Sequence, residues 1–311
     1  MATSTSAADR STNACPACLG DLGERAELTT PRVKVRRCRA CGHRVADFPG
    51  PPPAGGDFLL QDSTDSYLGS LEVTRRRQAR ALLDALRAEA AASSGPLDGL
   101  LDYGCGRGWF LEAARDAGFS RLAGADTSGT SMESLAALGI DAVHIDDPWR
   151  PSAAVQKLRF RPRVVTLLDV VEHIAPERME DWLSELLDAL RPDLRFAVIK
   201  VPVSGGVMYR MASALARAGV RTPLEQLYQA SRTPPHVNYF SVRSMERLLA
   251  RLGLPVARVV PDAEFDASGL KDRATFLRGL PASLTTAAGG AAIGIAGALR
   301  LHDSAAFLCR A

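Results

Sequence analysis

The residues best suited to chemistry in this chain are a carboxylate, Asp102, and the glycines that follow it in Leu100–Gly108, LLDYGCGRG. Gly104, Gly106 and Gly108 alternate with Tyr103, Cys105 and Arg107. Glycine lets a strand double back sharply into a helix and lets a ligand touch the main chain. A GxGxxG spacing would set a helix N-terminus against a pyrophosphate. The spacing here is GxGxG with a carboxylate just ahead, which suits a ligand that carries an ammonium group and no phosphate. A glycine-rich turn of any α/β protein is the plain alternative. About twenty residues on, GADTS places Asp126 and Thr127 where a carboxylate can accept hydrogen bonds from vicinal ribose hydroxyls. HIDDP contributes Asp146 and Asp147, and VVTLLD ends at Asp169. Each acid alone could be a helix cap or a turn residue, but as strand tips they form one ligand-binding edge.

A second constellation is made of cysteine. Cys15, Cys18, Cys38 and Cys41 form two CxxC pairs with the spacing of a tetrahedral Zn2+ site. Disulfides are the competing reading, and they are disfavoured because MATSTSAADRSTNA has no apolar signal-peptide core. Four thiolates would fill the coordination sphere, so the zinc would be structural. Arg32, Lys34, Arg36, Arg37, Arg39 and Arg44 surround the second pair. They read as a grip for RNA or for a phosphorylated substrate, or as compensation for a zinc tetrathiolate centre of charge −2. Compensation is favoured, because no aromatic residue interleaves to stack on bases.

Apolar runs and breakers indicate the elements that must position these groups. Leu97–Leu101, Leu122–Ala125, DAVHI and RVVTLLD read as parallel strands separated by helical patterns. Thr127 or Ser128 would cap the second helix. RFAVIKV, PVARVV and SAAFLCR bring the count to seven strands, a Rossmann-like α/β sheet. Leu68–Ala92 reads as a long amphipathic helix with Arg75–Arg77 and Arg80 on its solvated side, and with Tyr67 just ahead of it. The segment 204–235 is too long for a simple connection and reads as a lid at the ligand edge. Met208, Tyr209, Met211, Leu227 and Tyr228 could line its pocket or simply pack it down. Ser241 would cap SVRSMERLLARLG, with Glu246 too far along for a capping box. The divisions expected are a disordered tail over 1–14, a zinc-ribbon module over 15–50, a linker over 51–67 and the main domain over 68–311.

LLDYGCGRG, GADTS, HIDDP and VVTLLDVVEHI resemble the successive motifs of class I S-adenosylmethionine (SAM) dependent methyltransferases, across residues 68–311. The resemblance implies that Asp102 and the loop Gly104, Cys105, Gly106, Gly108 hold the methionine end of SAM. Asp126, with Thr127 beside it, would hold the ribose. Asp146, with Asp147, would approach the adenine amino group, and Asp169 would lie beside the methyl donor. PPHVNYFS is similar to the HVSYFS segment of bacterial methyltransferases with an N-terminal zinc module, a group that includes C-methyltransferases of nucleotide-linked deoxyketosugars. There the matching histidine helps free a carbon nucleophile from a YxEH run. This chain keeps His236, Tyr239, Phe240 and Ser241 but has Thr233 and Pro235 in place of the Tyr and Glu. The further C-terminal domain of those sugar enzymes has no match up to Ala311. His236 is therefore expected as the base, with His173 of DVVEHI as the second candidate; either could instead pack.

The expected function is methyl transfer to carbon or oxygen of a small molecule, in bacterial natural-product biosynthesis as the Ala, Arg and Leu content suggests. A zinc-finger rRNA methyltransferase and a non-catalytic zinc scaffold are the rivals. Nucleobase amino methylation is disfavoured, because LDVV stands where an NPPY-type motif would be. A net charge of +3 is too small to demand a polyanionic partner. Apolar content of 46% and charged content of 23% suit a cytoplasmic globular protein. Ser283–Leu301 is only weakly hydrophobic and is expected to be a packed helix rather than a membrane span.

Overall fold

A computed structural model describes residues 13–50, 65–91, 97–262 and 302–311. The central strands of its main sheet are apolar runs buried on both faces, as parallel strands covered by helices require. β4 (Leu100–Tyr103), β5 (Leu122–Asp126), β6 (Asp141–His144), β7 (Val164–Leu168) and β8 (Phe196–Pro202) pair in parallel. β10 (Val256–Asp262) and β11 (Ser304–Arg310) complete the sheet, and β11 runs antiparallel between β10 and β8. The order is β10-β11-β8-β7-β4-β5-β6, the seven-stranded sheet expected from the sequence. The chain reverses direction across the sheet between β4 and β7. Ligands bind at such switch points, beyond the carboxyl ends of the strands.

Helices cover both faces. α1 (Asp65–Ala91) presents Ala79, Leu82, Leu83 and Leu86 to the sheet, as its apolar spacing predicts. It begins inside the expected linker, so Tyr67 belongs to the helix rather than preceding it. α2 (Trp109–Asp116) starts directly from Gly108 at φ 79°, and α3 (Gly129–Leu138) is capped by Ser128, which accepts a hydrogen bond from Ser131 N. α4 (Pro151–Gln156) and α5 (Met179–Leu190) follow β6 and β7.

The amino-terminal module is not a separate bead. β1 (Leu28–Thr29), β2 (Lys34–Arg37) and β3 (Arg44–Asp47) form an antiparallel sheet whose fourth strand, β9 (Asn238–Tyr239), follows directly on the expected lid. Most of that segment turns away from the main cleft, which only its far end, Thr233 and Pro234, reaches. Its helices, α6 (Val207–Arg217) and α7 (Thr222–Leu227), pack Tyr209, Leu224 and Tyr228 against Leu28, Val33, Val35 and Ala46 of the module. Of the two roles open to Met208, Tyr209, Met211, Leu227 and Tyr228, lining or packing, none lines the main cleft, and Tyr209, Leu227 and Tyr228 pack. Burying two incomplete apolar faces against each other stabilises both, which is why the insertion folds onto the module. α8 (Val242–Arg251) does carry a capping box, formed by Ser241 and Ser244 instead of the distant Glu246.

Among the described residues no helix is long and apolar enough to cross a membrane. Residues 283–301, the tail 1–12 and linker residues 51–64 lie outside the described residues.

Candidate active site

The carboxyl ends of β4, β5 and β7 open onto one cleft of about 940 Å3. Asp102 is its deepest acid, 2% exposed, with Oδ1 accepting from Thr166 Oγ1 at 2.5 Å. Burial foremost pushes its carboxyl up to about 7; the Thr166 hydroxyl opposes this, and the charges of Asp126 and Asp169 add to it. The glycine loop wraps the strand end. Gly104 N donates to Ala125 O at 2.7 Å and Gly106 N donates to Asp126 Oδ2 at 2.8 Å. A side chain at Gly104 would bring a Cβ within 2.4 Å of Val170 Cγ2, so the close approach requires glycine as much as φ 80° does. Cys105 Sγ is tucked under the loop within 2.7 Å of where a Cβ on Gly124 would stand.

Asp126 closes the second strand, its Oδ1 accepting from Ser128 N at 2.9 Å, with Thr127 exposed at the rim. Asp169 follows β7 at φ 60°. Both of its oxygens accept from Lys200 Nζ, at 2.8 and 3.0 Å, and Arg75 reaches it at 2.8 Å. Arg75 therefore faces the cleft and not solvent, contrary to the helical-wheel expectation. Lys200 is buried in the middle of β8, and a lone lysine in FAVIKV was the sequence signal for such an ion pair.

The remaining acids diverge. Asp146 touches the rim but is 72% exposed, paired with Lys157 at 2.5 Å and His144 at 3.1 Å. Lys157 foremost, and then His144, hold its carboxyl below the usual range. Asp147 does not line the cleft. Its Oδ1 accepts from Trp149 N at 2.9 Å, the turn role that a β-strand exit often needs. Trp149, which sequence reasoning passed over, lines the cleft in its place, with the Arg178 guanidinium 4.8 Å above its ring.

His173 lines the cleft, and His236 stands behind it, the rings 4.8 Å apart and edge to face. His173 Nδ1 donates to Pro235 O at 2.9 Å, which leaves Nε2 as the lone-pair nitrogen of the neutral ring. Burial foremost lowers its pKa. Glu172 is fully buried beside them, and neither carboxylate oxygen has a hydrogen-bond partner among the described residues. Burial and then the charge of Asp169 push its carboxyl well up, against the opposing pull of Lys200 and Arg75.

The amino-terminal module holds this corner in place. Asn238, fully buried in β9, donates to Ile174 O at 2.6 Å and accepts from His43 Nε2 at 3.2 Å. Ser241 Oγ donates to Cys41 O, and Arg251 Nη1 donates to Pro16 O, so α8 clasps both cysteine turns. The four cysteines are free thiols with their sulfurs all within 4.8 Å of one another. Cys15–Cys41 and Cys18–Cys38 approach to 3.6 Å. That is too long for a disulfide and close to the ~3.8 Å edge of a tetrahedron with Zn–S of about 2.3 Å. The Cys15–Cys41 contact foremost lowers the Cys41 thiol and raises the Cys15 thiol, as two sulfurs that share one proton require. The donor set fits zinc. The nearby arginines are largely paired within the chain: Arg44 and Arg37 to Glu27, Arg36 to Asp47.

A family model described as a methyltransferase domain matches residues 74–259, more than half of the chain. The chain belongs to this methyltransferase family. No curated protein matches it. Among solved structures, one chain of the complex between the Trm112 methyltransferase activator and a methyltransferase of Haloferax volcanii is 15% identical, with 83% of this chain and 99% of that chain covered and a TM-score of 0.50. A SAM dependent methyltransferase from Archaeoglobus fulgidus is 18% identical over 79% of this chain and all of that one, at a TM-score of 0.46. Magnesium protoporphyrin IX methyltransferase from Synechocystis, with bound S-adenosylhomocysteine (SAH), is 15% identical over 83% of this chain and 89% of that one, at 0.45. The family match makes this protein a SAM-dependent methyltransferase.

Proposed function

We propose that this methyltransferase transfers the methyl group of SAM to an oxygen or carbon of a small molecule bound between the glycine loop and the Glu172–His173–His236 corner. One observation carries this reading. Asp102, Asp126, the loop Gly104–Gly106 and His173 all line the same cleft. Asp102 and the backbone of Gly104, Cys105, Gly106 and Gly108 would face the ammonium and carboxylate of the methionine end. Asp126 and Thr127 would face the ribose. Trp149 and the exposed Asp146 would flank the adenine, and Asp169 would border the sulfonium, its charge balanced by Lys200 and Arg75. Carboxylates around a sulfonium cation are electrostatically favourable, and methyl transfer itself mainly needs in-line placement of the nucleophile.

The acceptor loses its proton at the His173–His236 corner, with His173 the ring nearer the cleft. The acceptor's electron pair then forms the bond to the methyl carbon. The C–S pair returns to sulfur, and SAH leaves. Cys15, Cys18, Cys38 and Cys41 would hold a structural zinc, whose contribution is to fix the module that carries β3 against β9 and so the His236 segment. Internally paired arginines favour a small acceptor over RNA.

The test is isothermal titration of SAH into the purified protein together with metal analysis. Wild type is expected to bind SAH and to carry one zinc per chain. Asp126→Ala, which loses both ribose hydrogen bonds, is expected to bind SAH at least about tenfold more weakly, at ~1 kcal/mol or so per hydrogen bond. No heat from wild type would end the cofactor assignment.

A further inference from the structure

The corner behind His173 has the composition of a second metal centre, distinct from the cysteine cluster. Glu172, His173 and His236 each offer one ligand atom, and these atoms lie within 4.8 Å of one another. The set comes from two distant segments, 172–173 after β7 and 236 before β9, which are stitched together by Val237 N donating to Glu172 O at 3.0 Å and His173 Nδ1 donating to Pro235 O at 2.9 Å. We propose that Glu172, His173 and His236 form a divalent-cation site, and that the cation's open positions face the acceptor half of the cleft.

Three observations support it. Glu172 is 0% exposed and neither of its oxygens has a hydrogen-bond partner among the described residues. A buried carboxylate in that state is costly unless a cation or proton satisfies it. His173 spends Nδ1 on the Pro235 carbonyl, which fixes the ring and turns the Nε2 lone pair to bonding. Metal-ligating histidines are usually anchored in this way. Finally, only His173 of the three lines the cleft, so a cation on this triad would be backed by protein on one side and open to the cleft on the other. Two imidazoles and one carboxylate suit Zn2+, Fe2+, Co2+ or Mn2+ and leave positions open for exogenous oxygen ligands.

The proposal rests on the methyltransferase reading of the cleft and narrows its acceptor class. A cation there lowers the pKa of a coordinated hydroxyl, so the acceptor would be one that binds through oxygen. The proton would then leave to water, and the histidines would act as ligands in place of a free imidazole base.

The test uses the full-length protein holding one zinc per chain, the equivalent that the four-cysteine centre takes, with Mn2+ and Co2+ as probes. Loss of the free Mn2+ electron paramagnetic resonance signal is expected at one Mn2+ per chain, with zinc retained. Co2+ at this site should give weak visible bands without the thiolate charge-transfer absorption of a four-cysteine centre. Glu172→Gln, close to isosteric, and His236→Ala should each lose at least about a hundredfold in Mn2+ affinity, the upper end of what removing even an outer-shell partner costs. SAH titration of the same samples separates the two readings. SAH binding by wild type with no Mn2+ or Co2+ bound overturns the metal site alone. Unchanged Mn2+ affinity in Glu172→Gln overturns it equally. Mn2+ binding that the variants abolish sustains it even if SAH gives no heat, in which case the cofactor assignment falls by itself.

Discussion

Asp102 offers the sharpest check on how the cleft recognises its cofactor. Its carboxyl sits near 7 because burial disfavours the charge and Asp126 and Asp169 repel it, while only the Thr166 hydroxyl favours ionisation. In the unfolded chain the group ionises near its ordinary value of 3.8. The folded pKa is raised, so Asp102 supports the fold at low pH, and that support is lost as pH rises through about 7. A ligand ammonium placed beside the carboxylate reverses the preference and binds the ionised form. If only that form binds well, affinity scales as 1/(1 + 10^(pKa − pH)). The penalty is then about elevenfold at pH 6 and ~1.3-fold at pH 7.5, so SAH should bind roughly eightfold more tightly at the higher pH. Calorimetry at the two pH values, in buffers of matched ionic strength, measures this directly. Asp102→Asn should bind more weakly at pH 7.5 and show a flat profile. A flat wild-type profile, or an equal rise in Asp102→Asn, would refute the assignment of Asp102 to the ammonium.

Two further predictions concern the frame around the site. Gly104→Ala places a Cβ 2.4 Å from Val170 Cγ2 at φ 80°, and should cost about 1–3 kcal/mol in urea unfolding and weaken SAH binding. Gly118→Ala is its control: φ is 91° with nothing within 4 Å, so it should cost stability without touching SAH affinity. Asn238→Ala leaves His43 Nε2 and Ile174 O without their buried partner and should lose about 1–3 kcal/mol of stability. If Asn238 ties the module to the His173 corner, methyl transfer should fall more than SAH affinity does; equal falls in both would disconnect the module from the site.

The local chemistry was legible because strand, turn and glycine loop are short-range features. Leu100–Gly108 announces a buried strand, a carboxylate and a tight turn within nine residues. The seven-stranded sheet followed from apolar runs alone, and the CxxC spacing brought four sulfurs within 4.8 Å as expected. Amphipathic reading failed where a side chain is long. Arg75 lies on the polar side of α1, yet its guanidinium reaches Asp169 at 2.8 Å. Asp146 and Asp147 illustrate the other limit. Two adjacent acids after a strand look equivalent in sequence, but the turn commits Asp147 to Trp149 N and leaves Asp146 to Lys157.

By itself the sequence determined the fold class, the glycine loop and the cysteine quartet, because each rests on local spacing or on a repeating apolar period. Only the tertiary structure decided that the helices within 204–235 pack on the amino-terminal module and that β9 completes the module's sheet. It alone also brought His236 beside Glu172 and His173, from 64 and 63 residues away in the sequence. Such contacts depend on complementary unfinished faces: an edge strand that lacks a partner and two apolar patches that lack cover. Those are properties of folded surfaces, and no spacing along the chain records them.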